Sequence, residues 1–379
     1  MRRVVFAFVL LGASFVFGVE YRVVEAFRVA DAPACMPAVT RAPNGDILVA
    51  FSTVWEPFPW GGILKLTVSK DNGKTWSEPR ELWKPEDRRV TIQVSNGLQT
   101  LSNGDVLLPV TYCLVPKHKN APAKGRWHQI YNMKDPGYRR EVRFLRSTDS
   151  GATWTIEDPQ LEKPWWRFGR LLETKADGKL DGRLILPGRG WYLESRDFGK
   201  TWGPKISLGT PFYQETNIVQ AADGSLFSIL RQGGDLGPRR YFGTNFSHDV
   251  GKTWSKWRWS GVQGKMPDFL VLPKGRILMA VGMEGLTDGS ESLQMPDRHS
   301  FCTLFISDDH GQSWTRDLAF APVQAGDRTP ACDGPGLCLL PDGRILVVIQ
   351  AKGRKIKPDP TEPRMPGMSV IANIIEPIP

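Results

Sequence analysis

The chain has 379 residues, 41% hydrophobic and 23% charged, the balance of a globular protein with a sizeable core. Its 38 Gly and 30 Pro, 68 of 379 together, make it turn-rich but not disordered, and the composition excludes a coiled coil and a polytopic membrane protein. The net charge of +9 comes from scattered Lys and Arg, which suits an acidic polysaccharide better than nucleic acid.

The first segment, residues 1–18, reads Met-Arg-Arg, then apolar residues from Val4 to Phe17, then Gly18. Two cations before an apolar run too short to span a bilayer predict a secretory signal peptide and a secreted or periplasmic destination. Loss of Arg2 and Arg3 takes the formal charge from +9 to +7. No later apolar run approaches about 18 residues, so no membrane span is expected in 19–379. Five cysteines leave at least one without an intrachain partner. Cys332 and Cys338 are spaced for a small disulfide loop or for buried thiols. No zinc spacing or cofactor motif is present, although loop carboxylates on such a scaffold can hold calcium.

Next comes Tyr21–Val29, an alternating strand without a hairpin of its own. Two turn signals then alternate along the chain. Asn44-Gly45 precedes the octet Ser69–Trp76, and Asn103-Gly104 precedes Ser147–Trp154. Asp181-Gly182 precedes Ser195–Trp202, Asp223-Gly224 precedes Ser247–Trp254, and Lys274-Gly275 precedes Ser307–Trp314. A sixth hairpin, Asp342-Gly343, has no octet after it. An Asx-Gly pair between apolar runs is a hairpin signal. Each octet reads Ser-x-Asp-x-Gly-x-(Thr/Ser)-Trp. Its Asp can accept backbone N–H groups, its Gly supplies positive φ, and its Trp packs beneath the turn. The octet Asp residues are therefore structural.

One repeat reads strand, Asx-Gly turn, strand, loop, strand, octet turn, strand, which is a propeller blade. The sixth repeat starts near Pro335, and its third strand is Ser369–Ile375. Tyr21–Val29 then supplies its missing outer strand. Residues 19–379 are thus predicted to form a single all-β domain, a six-bladed β-propeller of four-stranded antiparallel blades. Helical periodicity is absent.

First strands of the blades begin near Cys35, Asn96, Arg170, Glu215, Asp268 and Asp333; second strands end near Trp55, Tyr112, Arg189, Arg231, Glu284 and Gln350. Both sets converge on one axial mouth, where charged residues in otherwise apolar strands suggest a polar pocket. Glycoside hydrolysis needs two carboxyl groups. Glu215 with Asp268 is the preferred catalytic pair, and Asp333 is the alternative to Asp268. Arg231, Arg189 and Asn96 would supply polar groups able to orient a sugar in such a pocket. Aromatic faces for stacking are sought at Trp55, Trp60, Tyr112, Trp127, Tyr192 and Tyr213. The long insertion Pro116–Arg140 adds His118, His128 and Tyr131.

Five octets on six blades resemble the Asp-box propellers of the sialidase superfamily. Gln214-Glu215-Thr-Asn217-Ile-Val, then Asp223-Gly224-Ser-Leu and Ile229-Leu230-Arg231, is similar to the family segment that holds a catalytic Glu and one of three substrate-binding Arg. Arg298, nine residues ahead of Ser307, resembles another of that trio. The chain departs from the family pattern at three places. Cys35-Met36-Pro37 stands for the usual Arg-Ile-Pro. The loop after the second strand of blade one offers only Glu56. Asp333-Gly334-Pro335-Gly336 occupies the region of the nucleophilic Tyr. The resemblance implies an exo-acting glycoside hydrolase on an acidic or non-sialic sugar, without a cofactor, and with little action on sialic acid. A non-catalytic glycan-binding propeller and a polysaccharide lyase on the same scaffold are the alternatives. The partner is an oligo- or polysaccharide in each case.

Overall fold

Short apolar strands joined by tight turns can pair only with their immediate neighbours, so each repeat closes into its own antiparallel sheet. The computed structural model shows six such sheets. It describes residues 20–31, 33–53, 62–87, 90–94, 97–114, 139–161, 169–210, 216–231, 241–283, 301–320, 332–352 and 368–378. The first blade comprises β2 (Cys35–Arg41), β3 (Ile47–Ser52), β4 (Leu64–Ser69) and β5 (Arg80–Trp83). Blade two holds β6 (Val90–Val94), β7 (Gln99–Thr100), β8 (Val106–Leu114), β9 (Arg139–Ser147) and β10 (Thr155–Glu157). Blade three holds β11 (Leu172–Ala176), β12 (Lys179–Pro187), β13 (Trp191–Ser195) and β14 (Ile206–Ser207). Blade four holds β15 (Thr216–Gln220), β16 (Leu226–Arg231), β17 (Tyr241–Ser247) and β18 (Arg258–Gln263). Blade five holds β19 (Lys265–Val271), β20 (Ile277–Met283), β21 (Phe301–Ser307) and β22 (Thr315–Phe320). Blade six holds β23 (Cys332–Leu339), β24 (Ile345–Lys352), β25 (Met368–Pro377) and, from the other end of the chain, β1 (Tyr21–Ala30).

The expected ring closure is present: β1 pairs antiparallel with β25, Tyr21 opposite Pro377. Blade two differs from expectation. Its first strand starts at Val90 rather than near Asn96, and it is broken, so that β6 and β7 each pair with β8. In blade three the hairpin turn is Asp177-Gly178 rather than Asp181-Gly182, which lies within β12, because Ala176 pairs with Lys179. Cys338 is a free buried thiol, so the Cys332–Cys338 bridge is not formed. No helix among the described residues is long and apolar enough to cross a membrane.

The core lies between blades rather than within them. Six clusters of buried side chains each join two neighbours: Leu48, Leu66, Val106 and Leu108 join blades one and two, and Leu278, Leu304, Val347 and Ile371 join five and six. Each fully buried Leu, Ile or Val contributes roughly 1.5–3 kcal/mol.

The octets act as pins between blades. In the first, Ser69 and Asp71 organise the turn. The Gly73 N–H donates to Ser69 Oγ at 2.8 Å. The Thr75 N–H and hydroxyl donate to the two oxygens of Asp71 at 2.8 and 2.6 Å. Trp76 Nε1 donates to Gly73 O at 3.1 Å. The residue before each octet glycine also has positive φ, even where it is Phe198 (58°) or Val250 (61°). The glycines then press on the preceding blade. A Cβ on Gly151 would lie 2.7 Å from Leu48 of blade one, and one on Gly73 would lie 2.8 Å from Leu346 of blade six. Blade six lacks an octet, and the entry to β1 serves instead. The N–H of Tyr21 donates to Asp317 of blade five at 3.1 Å, and Glu20 pairs with Arg276.

Hydrogen bonds from Thr153, then from its N–H and from Ser147, hold Asp149 at about 2, and Thr253 does the same first for Asp249. Asp71, Asp197 and Asp309 are lowered too: burial opposes the shift, and the turn hydrogen bonds prevail.

Two predictions follow from the pins. Gly151→Ala should lower stability by about 2–4 kcal/mol, from left-handed strain plus overpacking. Gly104→Ala, at φ 91° with no atom within 4 Å of its Cβ, should cost only about 1 kcal/mol; chemical denaturation of both variants measures the difference. Carboxylates depressed in the folded state stabilise it above their unfolded value, ~3.9, and that contribution fades as pH falls through about 2. Unfolding free energy should therefore drop between about pH 4 and pH 2, and less steeply in the Asp149→Asn, Asp249→Asn double variant.

Candidate functional site

All six hairpin turns lie at one end of the ring, so the starts of first strands, the ends of second strands and the starts of third strands share the opposite end. That end is the mouth. Register fixes depth within it. Ala38 lies opposite Ala50, Asn217 opposite Ile229, Asp268 opposite Ala280 and Gly336 opposite Val348. Each partner falls the same distance after its hairpin glycine, Gly45, Gly224, Gly275 and Gly343, so these four residues share one level of the channel.

A clasp crosses the channel at that level. Arg170, two residues before β11, sends its guanidinium over the axis. Nη1 donates to Asp268 Oδ2 at 3.1 Å, to Leu337 O at 3.0 Å and to Phe269 O at 3.3 Å; Nη2 donates to Val39 O at 3.3 Å. Asp268 Oδ2 also accepts the Leu337 N–H at 2.7 Å. The Arg170 N–H donates to Asn217 Oδ1 at 2.8 Å, and Asn217 Nδ2 donates to Pro267 O at 2.8 Å. One arginine of blade three thus engages blades one, four, five and six. Gly169 permits the approach: a Cβ there would lie 2.0 Å from Thr216 O.

Asp268, preferred as a catalytic acid from sequence, is 1% exposed and is the anionic end of this clasp. The reason is a bulge. Three first strands begin with a left-handed residue followed by Pro: Met36 (φ 55°), Met266 (47°) and Gly334 (56°), each with a register shift. Counting from that bulge, Asp268 is the counterpart of Gly336, whereas the counterparts of Asp333 are Lys265 and Cys35. Asp333 is opposite Gln350, closer to the mouth; its side chain lies outside the described residues, as do Glu215, Tyr213, Trp55, Asn96 and Arg298. Outside them too are Glu56, Trp60, His118, Trp127, His128, Tyr131 and Glu284. The repeated X-(Met/Gly)-Pro pattern was readable in the sequence and gives this depth assignment.

Beneath the mouth, Cys35, Met36, Met266 and Met368 pack into one buried cluster. The Cys35 thiol donates to Ser52 O at 3.1 Å, and burial raises it above its ordinary value. The Met36 N–H donates to Gln350 Oε1 at 2.8 Å.

Arg231 ends β16, half-buried, as expected for a mouth residue. Arg189 sits at the tip of the turn from β12 to β13, closed by the Gly188 N–H on Trp191 O at 2.7 Å. The adjacent Gly190 N–H donates to Thr216 Oγ1 at 3.3 Å, which joins the tip to the start of β15, one residue after Glu215. Tyr192 is not a rim aromatic: it is fully buried, and its hydroxyl donates to Gly251 O at 2.9 Å. Tyr112 stacks on Trp83 at 5.7 Å and lies under the Arg143 guanidinium. A residue not singled out in the sequence, Arg140, is the second residue of β9, at the mouth end. It is 3% exposed, and its Nε donates to Cys113 Sγ at 3.2 Å. Burial, and then the charge of Arg189, push its guanidinium down to about 8. No group of His, Cys, Asp and Glu suited to a metal ion occurs among the described residues.

Residues 305–316, around the fifth octet, match the BNR/Asp-box repeat model. Among curated proteins none matches the sequence. A protein of unknown function from Dyadobacter fermentans is similar in structure, with a TM-score of 0.70 at 20% identity over 95% of this chain and 100% of its own. The K499G mutant of NanB sialidase from Streptococcus pneumoniae has a TM-score of 0.62 at 15% identity, covering 92% of this chain and 70% of its own. The α-L-arabinanase of Penicillium chrysogenum, complexed with arabinobiose, has 0.56 at 17% identity, covering 93% and 98%. The fold is a sialidase-like six-bladed propeller.

The clasp predicts its own energetics. Asp268→Ala leaves a guanidinium without its counter-ion inside the ring and should cost about 3–5 kcal/mol by denaturant unfolding. The double variant Arg170→Met, Asp268→Leu should lose less than the sum of the single losses.

Proposed function

We propose that the protein is an exported glycoside hydrolase acting on an acidic or otherwise polar glycan at the propeller mouth, with Glu215 and Asp333 as the carboxyl pair. The observation that carries this reading is the register of β23, which sets Asp333 nearer the mouth than Asp268, while Glu215 immediately precedes β15. Hydrolysis asks for one proton donor and one base or nucleophile, ~5–5.5 Å apart for retention or ~6.5–9.5 Å for inversion. Asp268 then acts as a positioning residue through the clasp, and Arg231, Arg298 and Arg189 orient the sugar, with Asn96, Trp55 and Tyr213 beside them. The structural likeness to the sialidase and the arabinanase supports a glycosidase-like scaffold and leaves the sugar open. Engagement of Asp268 by Arg170 removes one acid from the mouth, which favours the glycan-binding propeller as the second reading.

Glu215→Gln and Asp333→Asn should each lower reducing-sugar release by at least about 100-fold while glycan binding persists. Unaltered glycan with measurable affinity in the unsubstituted protein overturns the hydrolase in favour of the binder. A product with new ultraviolet absorbance from a double bond identifies a lyase. A fluorogenic sialic-acid substrate should give a rate near background, because Cys35 and Asp333 stand where the family has Arg and Tyr.

A further inference from the structure

Four sulfur side chains from three blades make up the buried cluster beneath the mouth: Cys35 and Met36 from blade one, Met266 from blade five and Met368 from blade six. The cluster holds no aliphatic or aromatic side chain. Elsewhere in the described core sulfur enters singly: Cys302, Cys338 and Met279 each stand among aliphatic or aromatic neighbours. The backbone draws the four together. The Ala34 N–H donates to Met368 O at 2.8 Å, which holds the start of β25 against the start of β2. Met36 and Met266 occupy equivalent bulges, each followed by Pro.

Packing alone does not account for this arrangement. Methionine fills irregular gaps because its chain bends, which asks for no backbone strain. Here two methionines stand at φ 55° and 47°, where a side chain is unfavourable, and blade six places Gly334 in the same bulge without that cost. A Cβ on Gly334 would lie 3.9 Å from Met36 Sδ, so the sulfur of Met36 reaches across to blade six. Strain kept at two of three equivalent positions, each time beneath a thioether, points to a use for the sulfur. Thioethers and thiols are soft donors, and such sets select Cu(I) over hard divalent cations. A monovalent ion also suits a buried set of neutral ligands, because stripping its water is less costly than for a dication. Met266, at 9%, is the most exposed of the four and marks the side from which an ion enters.

We infer that Cys35, Met36, Met266 and Met368 form a Cu(I)-binding site that ties blades one, five and six together beneath the mouth. The inference does not rest on glycan hydrolysis or glycan binding. The thioethers carry the affinity, and Cys35, whose thiol donates to Ser52 O, adds a fourth donor.

Anaerobic titration of the full chain with Cu(I), in competition with bicinchoninate, tests it. One equivalent should be retained, X-ray absorption should show sulfur neighbours alone, and the unfolding midpoint should rise, since the ion binds the folded ring. Met36→Leu and Met266→Leu conserve side-chain volume and should fold. Each should weaken Cu(I) binding by at least about 10-fold, the lower end of what losing support at a metal site costs. Cys35→Ser should bind more weakly yet still bind. Met279→Leu, in the cluster of blades four and five, should bind as the unsubstituted protein does. No retained Cu(I), or retention unchanged in both Met36→Leu and Met266→Leu, overturns the inference. So does retention that depends on Cys35 alone, or Zn(II) bound as tightly as Cu(I). A scattering shell of nitrogen or oxygen overturns it without recourse to any variant.

Discussion

A single guanidinium across the channel organises this propeller. A ring of six inner strands leaves an axial gap, lined by backbone carbonyls and small residues such as Ala38 and Gly336, that water would otherwise fill. Arg170 fills it with donors, to carbonyls of Val39, Phe269 and Leu337 and to the carboxylate of Asp268. Buried charges are tolerated when paired and hydrogen-bonded, and here the pairing spans the ring rather than one blade. The clasp sets a floor across the channel, and Asp268 is part of that floor.

The outer ring is held by a different device. Each octet turn leans on the preceding blade, on its second strand in four cases and on Tyr192 of β13 in the case of Gly251, through a glycine close against its neighbour. The same carboxylate that folds the turn therefore also fixes the spacing between blades. Blade six has no octet, and the ion pair and N–H contacts at Glu20 and Tyr21 take over its function. Local turn chemistry and global closure are thus two parts of one arrangement.

Much of this was legible because turns are written locally. Five octets and five of the six hairpin glycines mark the blades, while the turn of blade three falls four residues earlier than Asp181-Gly182, and the unpartnered strand at Tyr21 gave the closure. What escaped was depth and burial, which depend on neighbours. Strand starts alone set Asp268 among the mouth residues, and the bulge at Met266 sets it one level deeper. Tyr192 looked like a rim aromatic, yet its ring packs against Trp254 at 6.0 Å within the contact of blades three and four. The first strand of blade two begins ahead of the expected start, because it is split into two pieces that share β8. Arg140 is obscured in the sequence because a long insertion precedes it, and only its place in β9, across from Cys113, shows it buried at the mouth end.

The pairing of β1 with β25 has a kinetic meaning. Tyr21 meets Pro377, so the circle cannot be sealed until β25 has been made. Until then the facing edges of β25 and β1 stand bare, with their ladder groups unsatisfied and prone to intermolecular pairing. Contacts so remote in sequence form slowly, since the entropy of bringing the ends together must be met before they stabilise anything. Closure of blade six therefore waits on the pairing of β1 with β25, the contact most remote in sequence within its sheet.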